Sequence, residues 1–500
     1  MKTARTVLAA AAILGLLSDY LFHDSLFKSV PWGLNLFVWL LTVTFASLIL
    51  TCRTKPTSQW KSAWFLVPPL FLAAGCVWRE SLVLRSLDVV GAIFFLSAAS
   101  LSMMGHKMVT AGISRYLFTV LNILDNLVTT PILLLTKEIG WSNMMNDRLR
   151  YQLNAIMRGL AIATPIVMVF GVLLITADAA FAAVVKNVFQ FDPVKNFQHW
   201  LLIFGTFWWA GGYLFSMLRG PLTASSDSPS IDSSLKPKLG LVEVGVVLGL
   251  IDLLFLAFVL VQAKYFFGGA NLVELTSGLT YSEYARRGFF ELVTVASLVL
   301  PILLTLDWLV EKTNAVGMLL IRSLTGVQIG LLSVIMISAV QRMRLYQSEY
   351  GLTELRLYTT AFMAWLALVC LVFVCTVLRG RRRTFAFASV MSGLLVVGGL
   401  HCINPDALIV STNIDHAKQG NVFDVPYALS LSSDAVPPLV AGINHLKPSE
   451  RLAVVEKMRS SHSGAWKTDW RSWTWSGDQA YRSVNGYLDK LKIVTTDGTN

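Results

Sequence analysis

Ionisable side chains set inside long apolar runs are the residues here with the clearest chemical potential. Lipid penalises them unless they pair or meet water. Glu243 and Asp252 lie in the run 239–263, and Arg322 in the run that begins near Ala315. On a helix, Glu243 sits about 6 Å from one membrane face, Arg322 about 10 Å from the same face and Asp252 about 20 Å in, near the midplane. Depth favours a Glu243–Arg322 pair. Asp252 reaches Arg322 only if that long side chain points inward. Two readings stand side by side. One is a polar cavity or proton-coupled site lined by these three residues and Gln328. The other is a structural ion pair that fixes helix packing.

A second cluster holds Glu283, Arg286, Arg287 and Glu291. Positions 283, 287 and 291 recur every four residues, so they share one helical face. An ion ladder there would anchor the helix at headgroup level, beside the interfacial Tyr281 and Tyr284. Alternatively, Arg286 and Arg287 receive an anionic group such as a lipid phosphate. The loop with Glu349, Tyr350, Glu354 and Arg356 is expected on the same side, where it could complete such a site.

Other chemistries find little support. The seven histidines are scattered, without HExxH, and no metal ligand is expected. Cys52, Cys76, Cys370, Cys375 and Cys402 form no CxxC and read as small apolar residues. GxSxG, the P-loop and a helix-opening GxGxxG are missing from the sequence. No cofactor is expected, and the leaning is away from an enzyme.

Positioning these residues falls to apolar helices. Of 500 residues, 55% are hydrophobic and 14% charged, against about 25% charged in a soluble domain. Mean hydropathy is +0.60. These values exclude a string of soluble domains and define an all-α, polytopic transmembrane helix bundle. A window of about 20 apolar residues places spans near 6–22, 31–51, 63–78, 87–104, 158–182, 197–217, 239–263, 287–310, 315–341, 357–378 and 384–403. The segment 116–136 is ambiguous, because crossing would carry Asp125 to the bilayer centre. Basic residues arbitrate. Arg379–Arg383 marks a cytoplasmic loop, and eleven spans put most Lys and Arg on its side. The N-terminus is then cytoplasmic and the C-terminal tail extracytoplasmic. The opening MKTARTVLAAAAILGLL resembles a signal peptide without a cleavage site and reads as an uncleaved first span. The excess charge of +11 lies in short membrane loops, which excludes a nucleic-acid partner.

The membrane domain is expected over 1–403, with a flexible linker at 219–238, and a small helical soluble tail over 404–500. In the tail, Ser433–Leu446 and Lys447–Met458 read as two helices, and 478–492 as a last one. Trp466, Trp470, Trp473 and Trp475 fall within ten residues of each other. They pack the tail onto the bundle or headgroup layer, stack on an envelope glycan, or form a partner-protein surface.

Several blocks resemble a bacterial family of polytopic membrane proteins, domain of unknown function 4173. They include RESLVLR (79–85), GVLLITADAAF (171–181), LTYSEYARRGFFEL (279–292), LYQSEYGLTELR (345–356), NPDALIV (404–410) and SSDAVPPLV (432–440). The resemblance implies a multi-pass protein of a bacterial inner membrane and carries over no activity. The leading expectation is a membrane scaffold or sensor in the lipid bilayer. The alternatives are a transporter or channel for a polar or anionic solute, and a lipid- or glycan-modifying enzyme.

Overall fold

A computed structural model describes residues 2–27, 32–54, 57–113, 193–218, 241–277, 289–310, 315–462 and 469–497, with a few positions between 115 and 134. The described elements are all helical. Among the described residues, eight helices are long and apolar enough to cross a membrane, and two shorter apolar ones accompany them at Ser62–Trp78 and Val293–Leu309. Ten of the eleven expected spans thus coincide with apolar helices. The eleventh, 158–182, and the linker 219–238 lie outside the described residues, as does most of 116–136. Large apolar side chains point outward, among them Leu82, Val90, Leu254, Val316 and Leu395. In water such faces would be a liability; in lipid they are the ordinary outer surface of a bundle.

The chain forms two compact units. The first holds α1 (Lys2–Phe27), α2 (Leu34–Thr54), α3 (Val67–Trp78), α4 (Leu82–Met103) and α5 (Pro193–Leu218), joined by the tail segment around 469–478. Helices α1 and α5 pack most closely. Hydroxyls tie the bundle from end to end: Ser18 Oγ lies 2.8 Å from Thr206 Oγ1, and Ser100 Oγ 2.8 Å from Ser216 Oγ. Small hydroxyl residues allow close helix approach in membranes and add interhelical hydrogen bonds.

The second unit holds α6 (Leu241–Ser277), α7 (Phe289–Leu309), α8 (Ala315–Tyr350), α9 (Glu354–Thr376) and α10 (Phe385–Ile403). Its core joins Val244, Leu248, Phe255, Leu300, Leu332 and Phe373. Helix α8 has 36 residues, about 54 Å of helix against a hydrocarbon layer of about 30 Å. It therefore continues past the expected end at 341 and carries Arg342 and Arg344 beyond the apolar run. The periodic apolar pattern stops there, but the helix does not.

The tail departs further from expectation. Asn404 takes a left-handed φ of 57° and caps α11 (Pro405–Lys418), accepting from the Ala407 amide, with Pro405 at the first helical position. Asparagine tolerates that conformation and proline suits that position. Next come α12 (Val425–Ser430), α13 (Val436–Gly442) and α14 (Pro448–His462), with α15 (Trp475–Asp497) last. The expected helix Ser433–Leu446 is a short α13 flanked by two 3₁₀ turns, because Pro437 and Pro438 restart the backbone there. Val410, Ile414, Phe423, Leu439, Ile443, Val454 and Val484 form a separate small core. Its helices fold over one another instead of standing as a bare hairpin.

Candidate functional site

Helix α6 places Asp252 among apolar neighbours, 8% exposed. Neither carboxylate oxygen accepts a hydrogen bond from a described residue. Of the two pairings open to Arg322, the inward one with Asp252 is therefore not formed among the described residues. Gln328 on α8 is also buried, its Oε1 without a donor. Helices α6 and α8 pack together, so both unsatisfied groups belong to one helix pair. Glu243, one turn inside α6, is exposed.

Arg322 instead lines a cavity of about 60 Å³ with Asp307, Thr325, Leu378, Gly380 and Arg382. That volume accommodates a few waters. Arg382 Nη1 sits 3.1 Å from Asp307 Oδ2 across the mouth. The cavity thus carries two guanidinium groups and one carboxylate at the basic turn Arg379–Arg383, which a purely apolar span would not need.

The structure gives Arg356 a role in its own turn. Its Nη1 donates to the carbonyls of Gly351 and Tyr350 at 2.5 and 3.1 Å, and its Cζ lies 4.1 Å from the Tyr346 ring centroid. It staples the turn between α8 and α9. Arg286 and Arg287 lie outside the described residues, as does the side chain of Glu291. The same turn is held from the tail. Asn413 Oδ1 accepts from the Leu352 amide at 2.7 Å, and its Nδ2 donates to the Leu352 carbonyl at 2.9 Å. The Glu354 amide donates to Tyr427 Oη at 2.8 Å. Burial pushes the Tyr427 hydroxyl above its usual pKa. Nearby, Asp406 Oδ2 accepts from the amide and hydroxyl of Ser432. Asp406 thus ties the blocks at 404–410 and 432–440 together, while the block at 345–356 is held by Asn413 and Tyr427 of the tail.

A third cluster lies in the first unit, where α1 ends and α2, α4 and α5 begin. Arg471 donates to the Tyr20 carbonyl and to the carboxylates of Asp24 and Asp469. Thr474 Oγ1 donates to Glu80. The Leu34 amide, one of the unpaired donors that open α2, donates to the Trp473 carbonyl at 3.1 Å. The Arg471 guanidinium holds Asp469 below the usual carboxylate range, and Asp469 in turn raises Arg471. Trp470, Trp473 and Trp475 remain 50%, 37% and 47% exposed; the Trp470 ring lies against Tyr20, centroids 6.4 Å apart, and Arg471, Thr474 and the Trp473 carbonyl supply the polar attachment.

Within one turn of this clamp, α1 and α5 bring Asp19, His23 and His199 together. His199 Nδ1 lies 2.8 and 2.9 Å from the two Asp19 oxygens. The rings of His23 and His199 stack, centroids 3.7 Å apart and 7° from parallel. One ligand-type atom from each residue lies within 4.8 Å of the others. The sequence reading assigned no metal ligand and missed this group. Asp19 and His23, four apart on a helix, were a visible half of it; His199 was not.

Fold and sites together define a helical, multi-pass membrane protein. Residues 66–442 match the family described as Domain of unknown function (DUF4153), and the chain belongs to that family. The blocks had suggested number 4173, which this match corrects. Neither a curated protein nor a solved structure matches the chain.

Proposed function

We propose that this protein is a scaffold or sensor of a bacterial inner membrane whose C-terminal tail is returned to one end of the bundle. The observation that carries the reading is the clamp of Arg471, Trp473 and Thr474 on Asp24, Leu34 and Glu80, with three indoles left exposed around it. A segment fixed by its backbone and presenting aromatic rings is suited to contact something outside the chain, since tryptophan is favoured both at interfaces and at headgroup level. The clamp sits at the end of α1 remote from the N-terminus. This supports an N-terminus and a tail on opposite sides, with the N-terminus cytoplasmic beside the basic loops. The test replaces Trp470, Trp473 and Trp475 by alanine in the membrane-inserted protein and compares site-specific photo-crosslinks from position 481. Loss of crosslinks to envelope glycan or protein, with bundle stability unchanged, is expected. An identical crosslink pattern would refute a contact role for the indoles. Reporter fusions after Asn404 and Asn500 test the sidedness.

A second reading has its own observation. The Asp252 carboxylate oxygens and Gln328 Oε1 are buried on packed helices without a hydrogen-bond partner among the described residues, and an occupying proton, cation or polar solute would relieve that cost. Transport into proteoliposomes that survives Asp252→Asn would rule this reading out.

A further inference from the structure

The geometry points to a divalent transition-metal site built from Asp19 and His23 of α1 and His199 of α5. It stands on its own geometry and goes beyond the scaffold or sensor reading. Two imidazoles and a carboxylate are a donor set that suits zinc and its neighbours, and three protein ligands leave a position for water or a fourth ligand. Helical spacing supplies the first two ligands. Residues 19 and 23 stand one above the other on α1, and the close α1–α5 packing delivers the third. Around a tetrahedral ion with bonds of about 2.0–2.1 Å, ligand atoms stand about 3.4 Å apart. The Asp19–His199 contact of 2.8–2.9 Å is about 0.5 Å shorter than that and the group's outer limit of 4.8 Å about 1.4 Å longer, so binding an ion requires the stacked His23 and His199 rings to turn until their nitrogens converge.

The surroundings suit an ion entering from the membrane face. His23 is 6% exposed, whereas the His199 and Asp19 side chains are 34% and 20% exposed. The site thus has a buried wall and an open side. The neighbouring acid, Asp24, is engaged by Arg471. Because Tyr20 and Asp24, which hold the tail, share a helical turn with the ligands, metal occupancy and tail attachment act on the same stretch of α1.

The experiment uses the full-length protein in detergent, without a polyhistidine tag, stripped with chelator and titrated with Co²⁺ and then Zn²⁺. Expected are one ion per chain and the visible absorption of a four- or five-coordinate Co²⁺, lost when Zn²⁺ displaces it. His199→Ala, His23→Ala and Asp19→Asn each weaken binding by at least about tenfold, while His416→Ala does not. Asp19→Asn is nearly isosteric and retains a hydrogen-bonding oxygen for His199, so it reports even if an alanine variant misfolds. Absence of a stoichiometric ion overturns the assignment. So does binding that Asp19→Asn and His23→Ala leave unchanged, or a binding loss shared by His416→Ala.

Discussion

Gly33→Ala should release the tail. A Cβ at position 33 would lie 2.5 Å from the Trp473 carbonyl oxygen, 2.8 Å from Thr474 Cγ2 and 3.0 Å from the Ser472 carbonyl, where ordinary contact starts at 3.4 Å. The first and last of these are backbone atoms, so no flexible side-chain tip can swing aside. Relief requires the tail strand to retreat by about 0.9 Å, which stretches the 3.1 Å Leu34–Trp473 hydrogen bond past any useful length. Leaving that donor unpaired costs about 1–3 kcal/mol, or about 5- to 140-fold in the docked-to-released ratio. Trypsin reads the change, because the Arg471 side chain is only 17% exposed while docked. Cleavage after Arg471 should accelerate in proportion to the released fraction, as long as release is faster than cleavage. Cleavage within about twofold of the unmodified protein would show that the strand does not sit on Gly33, and the reasoning would fail.

Acid should open the same clamp late. Asp469 is held below its ordinary range by Arg471, so its contribution is full above the usual carboxylate pKa of about 3.9 and disappears as pH falls through the lowered value. Spin labels at Leu82 and Trp475 should keep their separation at pH 5 and lose it only below about pH 4; loss at pH 6 would contradict the assignment. Asp252→Leu removes an unsatisfied buried carboxyl and should hold or raise the melting temperature in detergent; a large fall would mean the group has a stabilising partner. Gly351 has φ +71° with its Cβ position 2.5 Å from Asn413 Oδ1. Gly351→Ala should therefore cost at least about 1–2 kcal/mol, measured as a lower unfolding midpoint; a neutral result would refute the Asn413 staple.

Legibility followed sequence distance. Hydropathy marked the helices because lipid selects on composition over about 20 residues, and that signal is wholly local. It overlooked the final turns of α8, where Arg342 and Arg344 interrupt the apolar run but not the backbone hydrogen bonds. Asn404-Pro405 is a cap and first-position pair that could have announced α11, although the tail was read as helical only from Ser433. Charged residues were harder. Asp252 is visible in the sequence as an acid in an apolar run, but depth along a helix does not say which way Arg322 turns, and it turns toward Gly380 and the basic turn. Arg356 has the charge for an anion, and its Nη1 is directed to two carbonyls of its own turn, which the sequence did not announce. The His199 ligand and the Arg471 clamp depend on pairing between segments far apart in the chain, which no local pattern encodes.

That separation sets a schedule for biosynthesis. Arg471 and Asp24 are 447 residues apart. At about 5–20 residues per second, roughly 20–90 s pass between the emergence of the acid and that of its cation. Throughout that interval the contacts of Asp24 with Arg471, of Glu80 with Thr474 and of the Leu34 amide with Trp473 remain unmade. The clamp therefore closes only after residues 469–474 have emerged, and a chain aborted before them would lack it, a mark by which quality-control proteases could tell truncated copies from longer ones.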